Sequence, residues 1–251
     1  MPANPVIDDA RAASGPPRAM VLAAGRGERM RPLTDHCPKP LLEVGGRPLI
    51  VWSLLALRDA GVREVVINHA HLGSMIVDAL GDGAGFGLSI RYSAEASALE
   101  TAGGIATARP LLGEAPFLLV NADVYCEIDY RVLVRAAGRL AADDLGLCVL
   151  VPNPDHHPGG DFGLSDGRVR GAGGERLTYA GIALLRPAML DGIAHGQRAA
   201  LGPLLHEAAR NDRLAGLRFD GHWRDVGTPA RLHELDSALR ARGAPPNGSI
   251  R

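Results

Sequence analysis

The sequence predicts an α/β fold built on a doubly wound, mostly parallel sheet, with a small extension in its second half. Three observations carry the sheet. Short apolar runs alternate with segments of helical period from residue 19 to residue 151. The runs are continuously apolar, as in Phe117-Leu118-Leu119-Val120, which suits strands buried on both faces. Turns rich in Gly or ending in Asp follow two of these runs, at 24–31 and 121–123. An open parallel sheet binds its ligands at such positions, beyond the carboxyl ends of its strands.

The elements follow in order. Ala19 to Ala23 reads as the first strand. Leu49 to Ala60 has helical period and stops at Gly61. Val65-Val66-Ile67 centres a second strand over 64–68, and 74–80 a short helix closed by Gly81-Asp82-Gly83. Strand three covers 88–92. A helix over 101–112 begins weakly, because Gly103 and Gly104 are poor helix formers. Strand four spans 116–120, a helix 129–142 and strand five 145–151. The stretch 152–174 is rich in Gly, Pro and His, with an extended piece at 167–170. Strands at 178–185, 214–219 and 222–226, a helix at 200–211 and a last helix at 229–240 complete the chain. This predicts one domain over 19–242, with a first half to about 151 and a second half after it. Residues 1–18 read as a flexible tail and 243–251 as a loose end.

Composition excludes several classes. The net charge of −1 gives no basic field for a polyanion or an anionic membrane, and aromatic residues at 4% are too few for a base-stacking surface. No apolar run is long enough to span a bilayer, and the N-terminus lacks the pattern of a secretory signal. Cys37, Cys126 and Cys148 are scattered and form no CxxC pair, which points to a reducing, cytoplasmic setting and away from covalent assembly.

Chemistry concentrates in the loop after the first strand. Gly25 and Gly27 let backbone N–H groups approach an anion, and Arg29 adds a charged fork. Of 27 Lys and Arg residues only Lys39 is lysine, and it lies next to this loop. A compact ammonium suits a crowded phosphate pocket better than a broad guanidinium. Asp123 closes the apolar fourth strand, where a carboxylate needs a cationic partner, and Mg²⁺ bound by one or two carboxylates and substrate phosphates is the expected kind. A dinucleotide fingerprint fails because Met30 stands at the third glycine, and no Gly-Lys-Ser/Thr occurs for a Walker loop. His69 and His71, and Arg131, Arg135 and Arg139, read more simply as ordinary polar or solvated positions, while His156 and His157, close to Asp161, read equally as a ligand contact or as loop packing.

The pattern Leu22-Ala23-Ala24-Gly25-x-Gly27-x-Arg29-x-x-Pro32-Leu33-Thr34, followed by Pro38-Lys39-Pro40-Leu41, closely resembles the signature of sugar-1-phosphate nucleotidyltransferases. The similarity runs from about Ala19 to Leu239. Within the family it points to members that use UTP and an N-acetylmuramyl 1-phosphate, through segments such as His156-His157-Pro158-Gly159-Gly160-Asp161-Phe162 and Trp223-Arg224-Asp225-Val226-Gly227-Thr228. The resemblance implies that Ala23, Ala24 and Gly25 contact base and ribose, and that Gly27, Glu28 and Arg29 hold the triphosphate. It implies that Lys39 reaches the α-phosphate, Glu100 to Gly103 line the base pocket and Asn121 touches the nucleotide. Asp123 and Asp225 would hold Mg²⁺, and Asp161 and Gly181 would meet the sugar, so that the half to about 151 would be a nucleotide half and the extension after it a sugar-binding half. Arg29, Lys39, Asp123 and Asp225 would then be the catalytic set. Ala122 departs from the usual Gly before the metal aspartate. Other readings are a glucose- or mannose-1-phosphate enzyme of the same family and a silent nucleotide-sugar sensor.

Overall fold

The computed structural model describes residues 15–243. Most of the segment read as a flexible tail, and nearly all of the loose C-terminal end, lie outside the described residues. In chain order the strands are β1 (Ala19–Leu22), β2 (Glu43–Val44), β3 (Arg47–Pro48), β4 (Glu64–His69), β5 (Ser89–Ala94), β6 (Phe117–Asn121), β7 (Val124–Cys126), β8 (Gly146–Val151), β9 (Phe162–Ser165), β10 (Arg168–Arg170), β11 (Glu175–Leu185), β12 (Leu214–Arg218) and β13 (Trp223–Asp225). The α-helices are α1 (Leu49–Asp59), α2 (Gly73–Leu80), α3 (Glu100–Leu112), α4 (Arg131–Ala137), α5 (Leu201–Arg210) and α6 (Pro229–Ala241).

One nine-stranded sheet, in the order β5-β4-β1-β6-β11-β8-β12-β10-β9, runs through both halves of the sequence. The pairs β4–β5, β1–β4, β1–β6 and β8–β12 are parallel. The sheet is therefore α/β and doubly wound, but parallel pairing is interrupted in its middle. β11 returns between β6 and β8 and runs antiparallel to both. Strand five thus does not lie beside strand four, as a simple crossover would place it. The return follows from the excursion after β8, where the β9–β10 hairpin forms before the chain re-enters the sheet.

Alternation along the strands explains the two winding faces. Ala19 and Val21 of β1 pack with Ile50, Leu54 and Leu57 of α1, while Met20 between them faces Ile105 and Ala108 of α3. α2 and α4 join α1 on the first face, and α5 joins α3 on the second. A third cluster seats α6 through Leu235 and Leu239 against Val44, Tyr125 and Val226. The helix expected over 129–142 is shorter. It stops at Gly138, and the following turn brings buried Asp144 to Arg168 at 2.8 Å. α6 starts at Thr228, whose side-chain oxygen accepts from the Arg231 N–H and caps the helix. The short β7–β13 ladder lies outside the main sheet and sets Asp225 opposite Val124.

Candidate active site

The carboxyl ends of β1, β4 and β6 open into a cleft of about 230 Å³, lined by Ala23, Ala24, Gly25, Lys39, Glu100 and Asn121 among others. A second, wider cleft adjoins it and is lined by Arg29, Asn121, Asp123, His156, Asp161, Gly181 and Asp225. Asn121 and Asp123 line both, so the end of β6 forms the junction between them.

At that junction Lys39 donates to Asp123 Oδ2 across 2.5 Å. The lysine is buried, whereas the aspartate is partly open to solvent. Its aliphatic stem is covered by the backbone at Gly27, where an added Cβ would sit 3.2 Å from Lys39 Cβ. Gly27 can hold this position because its φ is +68°. The Gly27 carbonyl accepts from the Thr34 hydroxyl at 2.9 Å, so Thr34 of the sequence motif braces the loop. Arg29 extends towards Gly227, and its guanidinium forms no ion pair among the described residues. Glu28 behaves differently. Its carboxylate faces Arg26 and Arg31 at 3.0 and 3.8 Å on the exposed side, so only its backbone is placed to meet an anion.

Asp225 is brought to Asp123 by the β7–β13 ladder, in which the Val226 N–H donates to the Asp123 carbonyl at 2.8 Å. Its two oxygens accept from Arg231 at 2.6 and 2.5 Å, and His156 Nε2 lies 3.1 Å from the same carboxylate. Arg231 is a residue that sequence reading missed. It sits on a helix with other charged residues and carries no motif that separates it from a solvated face.

Two hard carboxylate donors facing one cleft fit a divalent cation that takes its remaining ligands from water and phosphate. Among the described residues no group of three or more His, Cys, Asp or Glu forms a protein-only cage. Each carboxylate instead meets one cation of the chain, Lys39 or Arg231.

In the second cleft Asp161 accepts from the Tyr179 N–H at 2.8 Å and meets His157 Nε2 at 3.0 Å. Gly181 is the irregular residue of β11, at φ +72°, where the pairing with β8 shifts register. A Cβ there would lie 2.7 Å from Asn121 Nδ2. The bulge thus lets Asn121 and β11 share the wall of the cleft.

Two expected nucleotide residues carry packing contacts of their own. Ala23 lines the cleft, but its N–H already donates to Asn68 Oδ1 at 2.9 Å. Gly103 does not line the cleft. Its N–H donates to the Ala199 carbonyl, and a Cβ would stand 2.2 Å from the Gln197 carbonyl oxygen, so this glycine is needed for packing against the 197–199 backbone. Glu100 does lie at the cleft, at a φ of +60° that is unusual for a residue with a side chain, and pairs with Arg198 at 2.8 Å.

Comparison with known proteins gives the family. Residues 18–166 match the family model described as Nucleotidyl transferase. The chain is 53% identical over 228 residues to the N-acetylmuramate alpha-1-phosphate uridylyltransferase of Neisseria meningitidis serogroup B, covering 89% of this chain and 99% of that one. It is 34% identical over 226 residues to the protein of the same name from Caulobacter vibrioides, covering 85% and 93%. Among solved structures, HddC from Yersinia pseudotuberculosis complexed with GMP-PN shares the fold with a TM-score of 0.73, at 19% identity, over 88% of this chain and 99% of that chain. The chain, whose sheet is doubly wound and whose length is mostly matched by these relatives, belongs to the nucleotidyl transferase family of enzymes.

Proposed function

We propose that this chain transfers a uridylyl group from UTP to N-acetylmuramic acid α-1-phosphate, releasing pyrophosphate and forming a UDP-sugar for reuse of cell-wall sugars in the cytoplasm. The observation that carries the reading is the pair of buried Lys39 and solvent-facing Asp123 at the junction of two clefts, which we read as a nucleotide side and a sugar side. The uridylyl and muramyl parts rest on the 53% identity to the Neisseria protein.

The reaction joins two anions. A phosphate oxygen of the sugar phosphate attacks the α-phosphorus of UTP, the bond to the β-phosphate oxygen breaks, and its electron pair leaves with pyrophosphate. The nucleophile is already ionised at neutral pH, so no base on the enzyme is required. The enzyme's task is alignment and charge. Holding two reactants in line can supply roughly 7–11 kcal/mol of a barrier. The loop from Ala24 to Arg29 would seat the triphosphate, with Arg29 supplying a guanidinium that no carboxylate of the described residues occupies. Lys39 would turn from Asp123 to the α-phosphate and meet charge that grows in the transition state. Asp161 and Gly181 would orient the sugar. Asp123 and Asp225 are the residues that would hold Mg²⁺, which when bound offsets phosphate charge as a Lewis acid.

Pyrophosphate release measured with Mg²⁺, four nucleoside triphosphates and three sugar 1-phosphates (N-acetylmuramyl, glucosyl, mannosyl) tests the reading. Turnover confined to UTP with the muramyl sugar is expected. Turnover with a different pair would keep the chemistry and remove the substrate assignment.

A further inference from the structure

We propose that Asn68 and Glu95, to which neither motif nor mechanism gives a part, form a hydrogen-bond relay of fixed polarity that positions the nucleotide-side loop. The relay has three links. The Ala23 N–H donates to Asn68 Oδ1 at 2.9 Å, Asn68 Nδ2 donates to Glu95 Oε1 at 2.7 Å, and the Leu99 N–H donates to Glu95 Oε2 at 2.9 Å. Both side chains are buried, at 3% and 7% exposure. The links join the ends of β1, β4 and β5 to the start of α3, which are the walls of the nucleotide-side cleft.

The direction of every link follows from its ends. A backbone N–H stands at each terminus and can only donate. Asn68 must therefore turn its oxygen to Ala23 and its amide nitrogen to Glu95. Residue 95 then receives two donors, and only a carboxylate accepts on both oxygens. This accounts for a buried carboxylate with no ion-pair partner among the described residues, otherwise a costly feature. Gly104 belongs to the same device. A Cβ there would lie 2.6 Å from Glu95 Oε1 and 2.8 Å from Asn68 Nδ2, so the relay needs a bare backbone beside it.

The proposal rests on a nucleotide occupying this cleft and is independent of which sugar is used. Its test is a polarity swap. In Glu95→Gln an amide nitrogen must face another donor. In Asn68→Asp two carboxylates face each other. In the double variant Asn68→Asp/Glu95→Gln the central bond reverses, while Ala23 and Leu99 both still find an acceptor and the charge is unchanged. Each single variant is expected to raise the KM for the triphosphate about tenfold with kcat within about threefold, since a mismatched buried donor loses a bond while the Lys39 end is untouched. The double variant is expected to return KM to within about threefold of the unmodified protein. The Asn68→Asp defect should lessen as pH falls, because the new carboxyl group at position 68 donates again once it is protonated, whereas the Glu95→Gln defect should not.

Binding of each of the four triphosphates is measured first by titration calorimetry on the unmodified protein, and the one that binds is used throughout. If that is not UTP, the uridylyl reading fails while the relay is still tested. If none binds, both fail. Single variants with unchanged KM would overturn the relay. So would a double variant that melts like the unmodified protein but keeps the high KM, since the carboxylate of residue 95 would then act on the nucleotide itself. Should a single variant fail to fold, KM of the double variant alone decides.

Discussion

At the scale of single residues, Lys39 is the position where chemistry and packing ask for the same side chain. Its stem runs beneath Gly27, and its ammonium reaches Asp123 within a pocket that leaves it almost no exposure. A guanidinium is wider and planar, so it would have to displace the Gly27 loop that covers the lysine stem. Lys39→Ala is expected to lower kcat by about 10²–10³, as for loss of one preorganised electrostatic donor, and Lys39→Arg to fare little better. Steady-state kinetics on both variants decides this, and near-normal turnover of Lys39→Arg would remove the shape argument. Asp123→Asn and Asp225→Asn should each shift the Mg²⁺ dependence to higher concentration, because each would remove one of the two proposed anionic ligands. An unchanged metal titration in both variants would remove them as ligands. The uniqueness of Lys39 and the length of its motif made these residues legible in sequence. Arg231 was not legible, since nothing in a run of helical charges announces which one turns inward to a carboxylate.

At the scale of elements, position in the chain predicted the strands well and their neighbours less well. The apolar run near Thr178–Leu185 reads as a buried strand by composition alone. Composition carries no direction, however, and β11 is antiparallel to both of its main neighbours. The register shift at Gly181 was also hidden, because one glycine in a strand marks a bulge only when its pairing partner is known. The paired glycines of α3 show the same limit. Sequence put Gly103 in the nucleotide pocket, whereas it packs on the 197–199 backbone and Gly104 faces the Asn68–Glu95 pair. Gly103→Ala should therefore cost about 1–3 kcal/mol of stability through overpacking against backbone that cannot rotate away. Denaturant unfolding measures this, and an unchanged midpoint would mean that the 197–199 segment yields.

The β9–β10 hairpin gives a second test at this scale. Asp212, in the turn after α5, pairs with Arg168 and Arg170, whose hydrogen bonding and charge hold its carboxyl below the usual Asp range. A depressed folded pKa means that the contribution is present above the unfolded Asp value and fades as pH falls through the folded one. The difference in melting temperature between the unmodified protein and Asp212→Asn should accordingly shrink as pH drops from about 5 to about 3. A difference independent of pH would mean that the charge of Asp212 contributes nothing there.

For the whole molecule, the two clefts are held at a fixed distance by the sheet that the halves share. β11 belongs by sequence to the sugar half, yet it pairs with β6 of the nucleotide half and with β8, and its far end pairs with β9. The same strand carries Gly181 at the cleft wall and feeds Leu184 and Leu185 into the two faces of the core. α6 closes the arrangement from the other end, placing Arg231 on Asp225 while its Asp236 accepts the Gly45 N–H beside β2. Neither half can lose its order without exposing strands of the other, so the two should unfold together. Trp52, on α1 beside Tyr125, belongs to the first half of the chain but packs towards α6, and Trp223, whose indole N–H donates to the Ala180 carbonyl, belongs to the second half but pairs with β7, so each senses the contact between the halves from its own side. In variants that keep one tryptophan each, fluorescence and far-ultraviolet circular dichroism should trace one coincident transition in denaturant. Two separated midpoints would mean that the nucleotide and sugar halves are independent folding units, and that something other than β11 sets the distance between the clefts.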